Sequence, residues 1–580
     1  MATRSLLTQN DNTVLDYLRP KVGKTYFPNS NTNVFPMKIG KIYPFFLRPC
    51  APSESLEIGV TALVKQLSPL SVSLMANFKL NTAFYYIDYR LCWHKFERFM
   101  TGGKSGDELY DIPLLGDGTG NLASVDSNLT ESLRSYMNIT THAISKVEDL
   151  PEAAAFYGYQ LVCRDFYTNE DRLEDTSSDP TEDWTYENLF PPDPFDFQLQ
   201  DGQQEEVNGV VLDKFRWHEV REDYFTASKP RPMRGTEPSI AITDVNASLD
   251  ASEAVTQFNA ANNNILISVG ANDLAPGQDY DSRLNASAAK LELGQSPTLV
   301  TSTVSASTAS AKLQSAIEKI KVVGYTAANV TVRQIRWLEQ VSVFKEANMI
   351  AKPYYSSWLK AHFNGVNVGE AAIERPIYIG GTSQDIILSD VVQTTPTSDS
   401  PLGNIGQTAH SLANNYVGKM YCNNHGFILG VAYIIPDFIY EPAMPRWLNR
   451  RMNTDFITPE FANLSMQAIL NKEFFYSNDN DWNGDVLGYT GMYDEYRSYP
   501  NYAAGELLDS NQEDISKMVL LRRFSNDNKP EITHKFLSLE DNFDYSAWAA
   551  GDTVAPFIVN FASMVGDVLP LPRVAIPKLK

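Results

Sequence analysis

Residues Ser477 to Gly484 have the spacing of a calcium-binding loop. In the segment SNDNDWNG, oxygen-bearing side chains alternate at Asp479, Asp481 and Asn483 before the glycine. Calcium loops use this alternation because carboxylate and amide oxygens suit a hard cation, and they close with a bidentate glutamate at the twelfth position. That position holds Thr490 here. The pattern therefore predicts a turn, with a weak cation site at the three side chains as the alternative.

A second pattern, Gly-Gly-Lys-Ser at residues 102–105, resembles the end of a phosphate-binding loop. Such a loop needs a glycine where Arg98 stands, because its backbone N–H groups must approach the phosphates closely. We therefore interpret these residues as the exit from a helix into a surface loop.

The remaining reactive residue types form no catalytic or metal-binding pattern. The seven histidines never occur in HxxxH or HxH spacing, and no GxSxG elbow precedes a helix. With 70 acidic residues, any chosen pair of carboxylates would carry no information. The sequence thus predicts a protein without an active site or a cofactor. The four cysteines contain no CxxC pair and are expected to be buried free thiols: Cys50, Cys92, Cys163 and Cys422.

The net charge of −22 on 580 residues limits the partners of this chain. An acidic chain repels phosphate backbones, so binding to nucleic acid would need a local basic patch or a separate basic protein. No window reaches the ~18 uninterrupted apolar residues of a membrane helix, and the N-terminus lacks the apolar core of a signal peptide. We expect a folded protein that is synthesised in a cytoplasm and not inserted in a membrane.

The stretch from Phe78 to Gly103 is the strongest indicator of fold class. Aromatic and apolar residues alternate with polar ones through Tyr86, which predicts a strand with one buried face. Apolar residues then recur at helical intervals until Gly102 and Gly103 end the pattern. We predict one helix here, with three packing anchors: Trp93, Phe96 and Phe99.

Several other segments have clear periodicity. Residues 37–49 and 55–69 read as two strands paired across a turn, and 151–168 as a buried helix. Residues 329–350 read as an amphipathic helix, followed by a second helical piece over 354–362. Strand-like residues 377–395 precede a polar Gly, Asn and Ser loop. Residues 427–440 read as a strand that is buried on both faces or packed against another sheet. Strands separated by long loops, with helices inserted between them, favour an antiparallel β-sandwich over a βαβ fold.

Composition divides the chain into four regions. Residues 1–36 are polar and Asn-rich, which predicts an N-terminal arm that orders only against other groups. Residues 37–235 and 323–580 carry the framework, and the second of these ends in a proline-rich tail. Between them, residues 236–322 are poor in aromatics and rich in Ala, Ser, Thr and Asn, so we predict an inserted, protruding subdomain, with disorder as the alternative.

The segment FYYIDYRLCWHKFERFMTGG, at residues 84–103, resembles the aromatic strand, Arg-Leu-x-Trp turn and Trp/Phe-rich helix of the Microviridae major capsid proteins, particularly their gokushovirus-like branches. Further blocks follow in the same order over most of residues 37–540. They include AFYGYQLVCRDFYTNED at Ala155, DYFTASKPRPMRG at Asp223, ERPIYIGGTSQDIILSDVVQTT at Glu374 and NNHGFILGVAYIIPDFIYEPAMPRWLNRR at Asn423.

This resemblance implies a single viral jelly roll, an eight-stranded antiparallel β-sandwich with long loop insertions that contain helices. It implies a bacteriophage shell of sixty copies around circular single-stranded DNA. Residues 236–322 lie where gokushovirus-like relatives carry threefold protrusions, which we expect to serve attachment to a host-cell receptor. Expected partners are the same virus's small basic DNA-binding protein, scaffolding protein and pilot protein.

The ends of the chain match the family poorly, and two internal motifs depart from it. The usual RY is Pro353-Tyr354 here. The usual HFGV reads HFNGV at residues 362–366. From charge alone, we expect Arg573, Lys578 and Lys580 in the tail to face the nucleic acid. Two other functional classes remain as alternatives, a secreted carbohydrate-binding jelly-roll protein and a glycoside hydrolase. The missing signal peptide counts against the first, and the missing catalytic constellation counts against the second.

Overall fold

A computed structural model gives the conformation of the protein. It describes residues 23–103, 110–115, 132–169, 172, 206–207, 210–233, 248–249, 322–323, 332–350, 355–362, 375–392, 405–462, 466–509, 513–526, 529–540 and 543–573. The chain divides into two compact units. One comprises Met1–Arg234 and Asn348–Lys580, and the other comprises Gly235–Ala347.

Eight strands form the framework of the first unit. In chain order they are β1 (Thr25–Met37), β2 (Tyr43–Cys50), β3 (Glu54–Gln66), β4 (Phe78–Asp88), β5 (Ile377–Val392), β6 (Ile405–Cys422), β7 (Gly426–Pro436) and β8 (Phe557–Leu569).

The strand order is that of a jelly roll. Strands β1-β8-β3-β6 form one layer and β5-β4-β7-β2 the other, and a short ladder between β5 and β6 joins them. Every neighbouring pair is antiparallel. Strands that are distant in sequence thus become neighbours, as when Met37 of β1 lies opposite Phe557 of β8. The predicted fold class, a mainly β single jelly roll with helices in its loops, is confirmed.

Alternation of side chains explains how the two layers hold together. Along β3 and β8, every second residue is buried and the residues between them are at least partly accessible. The buried side chains of both layers meet in one aromatic core, in which the Phe45 ring stacks on Phe561 at 4.4 Å and meets the edge of Phe84 at 5.3 Å between centroids. Strand β7 is buried almost throughout, as its continuous apolar sequence predicts.

In the described part of the chain, three longer helices lie in the insertions: α1 (Ala154–Tyr167), α2 (Val332–Ile350) and α3 (Tyr355–His362). All three were predicted from sequence. Helix α1 packs on the second layer through Gly158, where an added Cβ would come within 2.6 Å of the Phe427 ring. The Tyr159 hydroxyl donates a hydrogen bond to the Ile42 carbonyl oxygen at 2.8 Å, which fixes the helix to the chain before β2.

The other elements formed by the described residues are short. The additional strands are Glu206–Val207, Val210–Val211, Ser248–Leu249, Val322–Val323, Ile439–Tyr440, Met466–Leu470, Val486–Gly491 and Leu521–Arg522. The short α-helical turns are Tyr89–Cys92, Phe96–Thr101, Leu133–Tyr136, Asn471–Phe474, Asn480–Gly484, Glu513–Ser516 and His534–Leu537. The 3₁₀ turns are Val147–Asp149, Arg446–Leu448, Asn453–Asp455, Pro459–Phe461, Asp494–Tyr496 and Gly505–Leu508.

The prediction of an N-terminal arm over residues 1–36 is wrong for its last third. Residues from Thr25 form β1, which pairs with β8 along its whole length. Their side chains are mostly polar and exposed because β1 is an edge strand, so only Phe35 and Met37 are buried. Backbone pairing with β8 holds this strand in place, although its side chains do not alternate clearly between apolar and polar.

The prediction of a polar loop between residues 395 and 427 is wrong for Ile405–Cys422, which form the 18-residue strand β6. Residues 396–404 of that predicted loop lie outside the described residues. One face of β6 is exposed, which allows polar residues such as Asn414, and Gly418 lies at a register shift against β3. Strands were predicted from their apolar residues. A strand with one solvated face contains fewer such residues, so this criterion misses it.

Two smaller predictions need correction. Strands β2 and β3 are consecutive but do not pair, because β2 joins β7 and β3 joins β6 and β8. The single helix predicted after β4 is two short helices, Tyr89–Cys92 and Phe96–Thr101. Gly102 ends the second in the left-handed conformation, with φ of 72°, as the Gly-Gly sequence predicts.

Candidate subunit contact surface

The outer face of the β1-β8-β3-β6 layer is a candidate contact surface. Successive side chains of a strand point to opposite faces of the layer. Val64 and Phe561 point inward and are buried. Leu412, Tyr416 and Met564 point outward, and each of them is more than half exposed. An exposed apolar face of this kind suits contact with another protein surface.

Small residues keep this face flat. Gly59 of β3 lies opposite both Met564 and Tyr416, so the two large side chains flank a position without a side chain. On this face Lys419 and Glu57 form an exposed ion pair at 3.4 Å. The arrangement offers a broad area for contact.

A buried charge network lies beneath this face and ties the two layers together. Arg48 of β2 donates to Asp567 of β8 at 2.5 Å and to Glu54 of β3 at 3.0 Å. The two carboxylates are almost fully buried. Asn29 donates to the second oxygen of Asp567 at 2.7 Å, and the backbone N–H of Ala51 donates to Glu54 at 2.8 Å. Burial raises the pKa of Glu54 above its ordinary value, and Arg48 opposes that rise.

All four cysteines are free thiols and buried, as predicted. The hydrogen bond between the Cys50 and Cys422 side chains raises the pKa of Cys50, and burial adds to this rise. Burial also raises the pKa of Cys92, and that of Cys163 to about 12. Thiols held protonated in this way are poor nucleophiles, so they act as packing groups.

The turn predicted for residues Ser477 to Gly484 is present, as a capped helical turn. Asp479 is the N-cap of the helix Asn480–Gly484 and accepts from the backbone N–H groups of Asp481 and Trp482. Its other oxygen pairs with Lys529 at 2.7 Å, and Asn483 bonds the backbone of Ser477. Two of the three candidate side chains thus have other partners, and a cation site stays a prediction without further support. Among the described residues, no three His, Cys, Asp or Glu side chains cluster as metal ligands.

The three predicted packing anchors have unequal environments. Trp93 is buried and contacts Phe99 at 5.4 Å between ring centroids, whereas Phe99 itself is partly exposed. Phe96 stacks on Tyr89 at 5.1 Å, and it too is partly exposed.

The predicted nucleic-acid-facing residues lie at the end of the chain. Arg573 is exposed a few residues beyond β8, while Lys578 and Lys580 lie outside the described residues. No helix in the described part of the chain has the length and apolar character needed to span a bilayer.

Sequence comparison agrees with this architecture. The family described as Capsid protein (F protein) matches residues 22–579. The chain is 25% identical to Capsid protein VP1 of Chlamydia phage 1, with 93% of both proteins covered. It is 23% identical to Capsid protein VP1 of Bdellovibrio phage phiMH2K, over 86% of this chain and 85% of that protein. It is 20% identical to Capsid protein VP1 of Spiroplasma virus 4, over 96% and 95%. The chain therefore belongs to the capsid protein (F protein) family of the Microviridae, and it is a structural protein and not an enzyme.

Proposed function

We propose that sixty copies of this chain assemble into an icosahedral shell that encloses circular single-stranded DNA. The match to the capsid family over residues 22–579 carries this proposal. The jelly roll supports it, because a rigid sandwich with long loops can present different contacts at each symmetry axis. In this proposal the protein is synthesised and assembled in the cytoplasm of a bacterial host and ends in the virion.

The charge of the chain supports a role for additional proteins in packaging. A net charge of −22 on each copy opposes the condensation of DNA against the shell. We therefore include a small basic DNA-binding protein of the same virus as a partner, with a scaffolding protein and a pilot protein for assembly and delivery. Arg573, Lys578 and Lys580 would add local positive charge towards the DNA.

Electron microscopy and nuclease treatment test the assembly proposal. We expect particles from infected cells to be uniform closed shells in which this chain is the principal protein and the DNA resists added nuclease. Co-expression of this chain with the viral partners should give similar shells. A monodisperse monomer that persists with those partners present would contradict the proposal.

We also propose that residues 236–322 form a protrusion for host attachment. Gly235–Ala347 form a compact unit separate from the rest of the chain, which supports a role for this segment other than shell formation. We expect deletion of residues 240–315 to leave shell assembly largely intact and to reduce adsorption of particles to host cells at least tenfold. Adsorption is measured by the loss of free particles from a mixture with cells. Failure of the deleted chain to form soluble shells would instead assign essential assembly contacts to this unit.

A further inference from the structure

Residues 447–457 form an exposed surface with an unusual composition, which we call the 447–457 surface. Trp447, Met452, Phe456 and Ile457 are each more than half exposed, although the chain has a large core in which to bury such residues. Single exposed apolar residues are common on soluble proteins, but several within one short segment mark a site of interaction.

Hydrogen bonds hold this surface in a fixed shape. One carboxylate oxygen of Asp455 accepts from the backbone N–H groups of Arg451 at 2.7 Å and Met452 at 2.8 Å. The Tyr493 hydroxyl, on a neighbouring loop, accepts from the Thr458 N–H at 3.2 Å and donates to the Phe456 carbonyl oxygen at 3.4 Å. A partner would therefore meet a surface that is already ordered, which lowers the entropic cost of binding.

Two arginines give this surface a positive charge on an acidic chain. The Arg450 guanidinium lies over the rings of Phe456 and Tyr496, at 5.0 and 5.4 Å from their centroids. Arg451 donates to the Arg450 carbonyl oxygen at 3.0 Å. Within the described part of the chain, neither guanidinium forms an ion pair with a carboxylate. Their ion-pairing capacity is thus available to a partner.

We propose that the 447–457 surface is a contact site for a second copy of this chain, on a part of that copy that bears carboxylates. This inference rests on the proposed assembly into shells. Exposed tryptophan, methionine, aromatic rings and arginine are the residue types enriched at the energetic centres of protein interfaces. A second copy, with its own net charge of −22, supplies the acidic groups that Arg450 and Arg451 can bind in a bidentate manner.

Single-stranded DNA is the competing occupant, and the composition of the surface disfavours it. Sites for single strands combine stacking rings with several cations that follow the phosphates. Here only two arginines face outward, one of them already stacked on rings, and Met452 and Ile457 offer no flat face to a base. Like-charged copies, in contrast, need local positive groups at their contacts to overcome mutual repulsion.

The test reverses the two charges in the full-length chain. We expect Arg450→Glu with Arg451→Glu to raise the subunit concentration needed for shell formation, with the viral assembly partners present, at least tenfold. The matched control is Lys146→Glu with Arg231→Glu, which reverses two exposed cations elsewhere and should assemble as the wild type does. Ile457→Ser, which changes no charge, should also impair assembly. Circular dichroism and the unfolding temperature should be unchanged in all three variants.

Further measurements separate the possible failures. Assembly of the double-glutamate variant at the wild-type concentration would overturn the inference. A normal shell combined with weaker binding of a fluorescent 20-nucleotide single strand would also overturn it, because the surface would then be a nucleic-acid site. The wild type could form no shells and still self-associate in sedimentation equilibrium. That result would contradict the shell proposal but not the proposed contact. A tenfold weaker self-association of the double-glutamate variant would then still support the contact. A wild-type chain that never self-associates would refute both.

Discussion

Replacement of Phe561 by alanine is expected to lower the free energy of unfolding of the subunit by about 3–5 kcal/mol, the usual cost of removing a buried phenylalanine. The Phe561 ring is 1% exposed and lies between the two layers of the jelly roll. It stacks on Phe45 at 4.4 Å and contacts Phe35 at 5.5 Å between centroids. Alanine would remove these contacts and leave a cavity that the rigid layers can fill only in part.

The same strand provides a matched control. Met564, three residues later on β8, points to the outer face and is 52% exposed. Met564→Ala removes a side chain of similar length from the same strand, and we expect it to change the free energy of unfolding by less than about 0.5 kcal/mol. Urea unfolding of the unassembled subunit, followed by circular dichroism, measures both changes. Similar losses for the two variants would show that the cost reflects the strand and not the interlayer core.

The sequence predicts those elements whose own residues carry a strong pattern. Strand β7 is nearly all apolar because both of its faces are covered, and α1 repeats its apolar residues at helical spacing because it packs on the second layer. Both were found with approximately correct limits. Helix α2 was also found from its apolar repeat, although Ile335 and Phe344 of that repeat are exposed in the structure.

The elements that the sequence misses depend on the rest of the fold. Strands β1 and β6 each have a solvated face, and their polar composition resembles that of a loop. Backbone pairing to β8 and β3 decides their conformation, and such pairing leaves no mark in the local sequence. The break between Tyr89–Cys92 and Phe96–Thr101 is a tertiary effect of the same kind, since Trp93 is drawn into a buried position there.

The family can be recognised from the sequence because several motifs occur in the same order, but the surfaces cannot be located in this way. Arg48 and Asp567 are 519 positions apart, and nothing in the residues near either one predicts their contact. The same holds for the outer face of the first layer, which is assembled from four strands spread over the whole chain. Exposure and pairing are properties of the folded chain, so candidate contact surfaces become visible only in the structure.

Replacement of Arg48 by alanine is expected to lower the free energy of unfolding by about 3 kcal/mol at neutral pH. Removal of one partner from a buried charge network is costly because it leaves the other charge without compensation. Here it would leave two carboxylates, Glu54 and Asp567, buried beside each other without their shared cation. We place the cost near the lower end of the range for buried pairs because Arg48 itself remains 19% exposed. Arg221→Ala is the control, since its pair with Asp437 is solvent-exposed on the arginine side and should contribute less than about 1 kcal/mol.

The pH dependence of this loss distinguishes charge from packing. Burial already raises the pKa of Glu54 in the folded protein, and removal of the Arg48 cation, which opposes that rise, should raise this pKa further. A carboxyl group whose pKa is higher in the folded state contributes its full stability below its ordinary pKa, near 4.5, and loses that contribution as the pH rises through the folded-state pKa. The variant should therefore lose most stability at neutral pH and progressively less as the pH falls towards 4.5. Urea unfolding of both proteins at several pH values measures this difference. A loss that stays constant over the range would mean that Arg48 stabilises the two layers through the packing of its side chain and not through its charge.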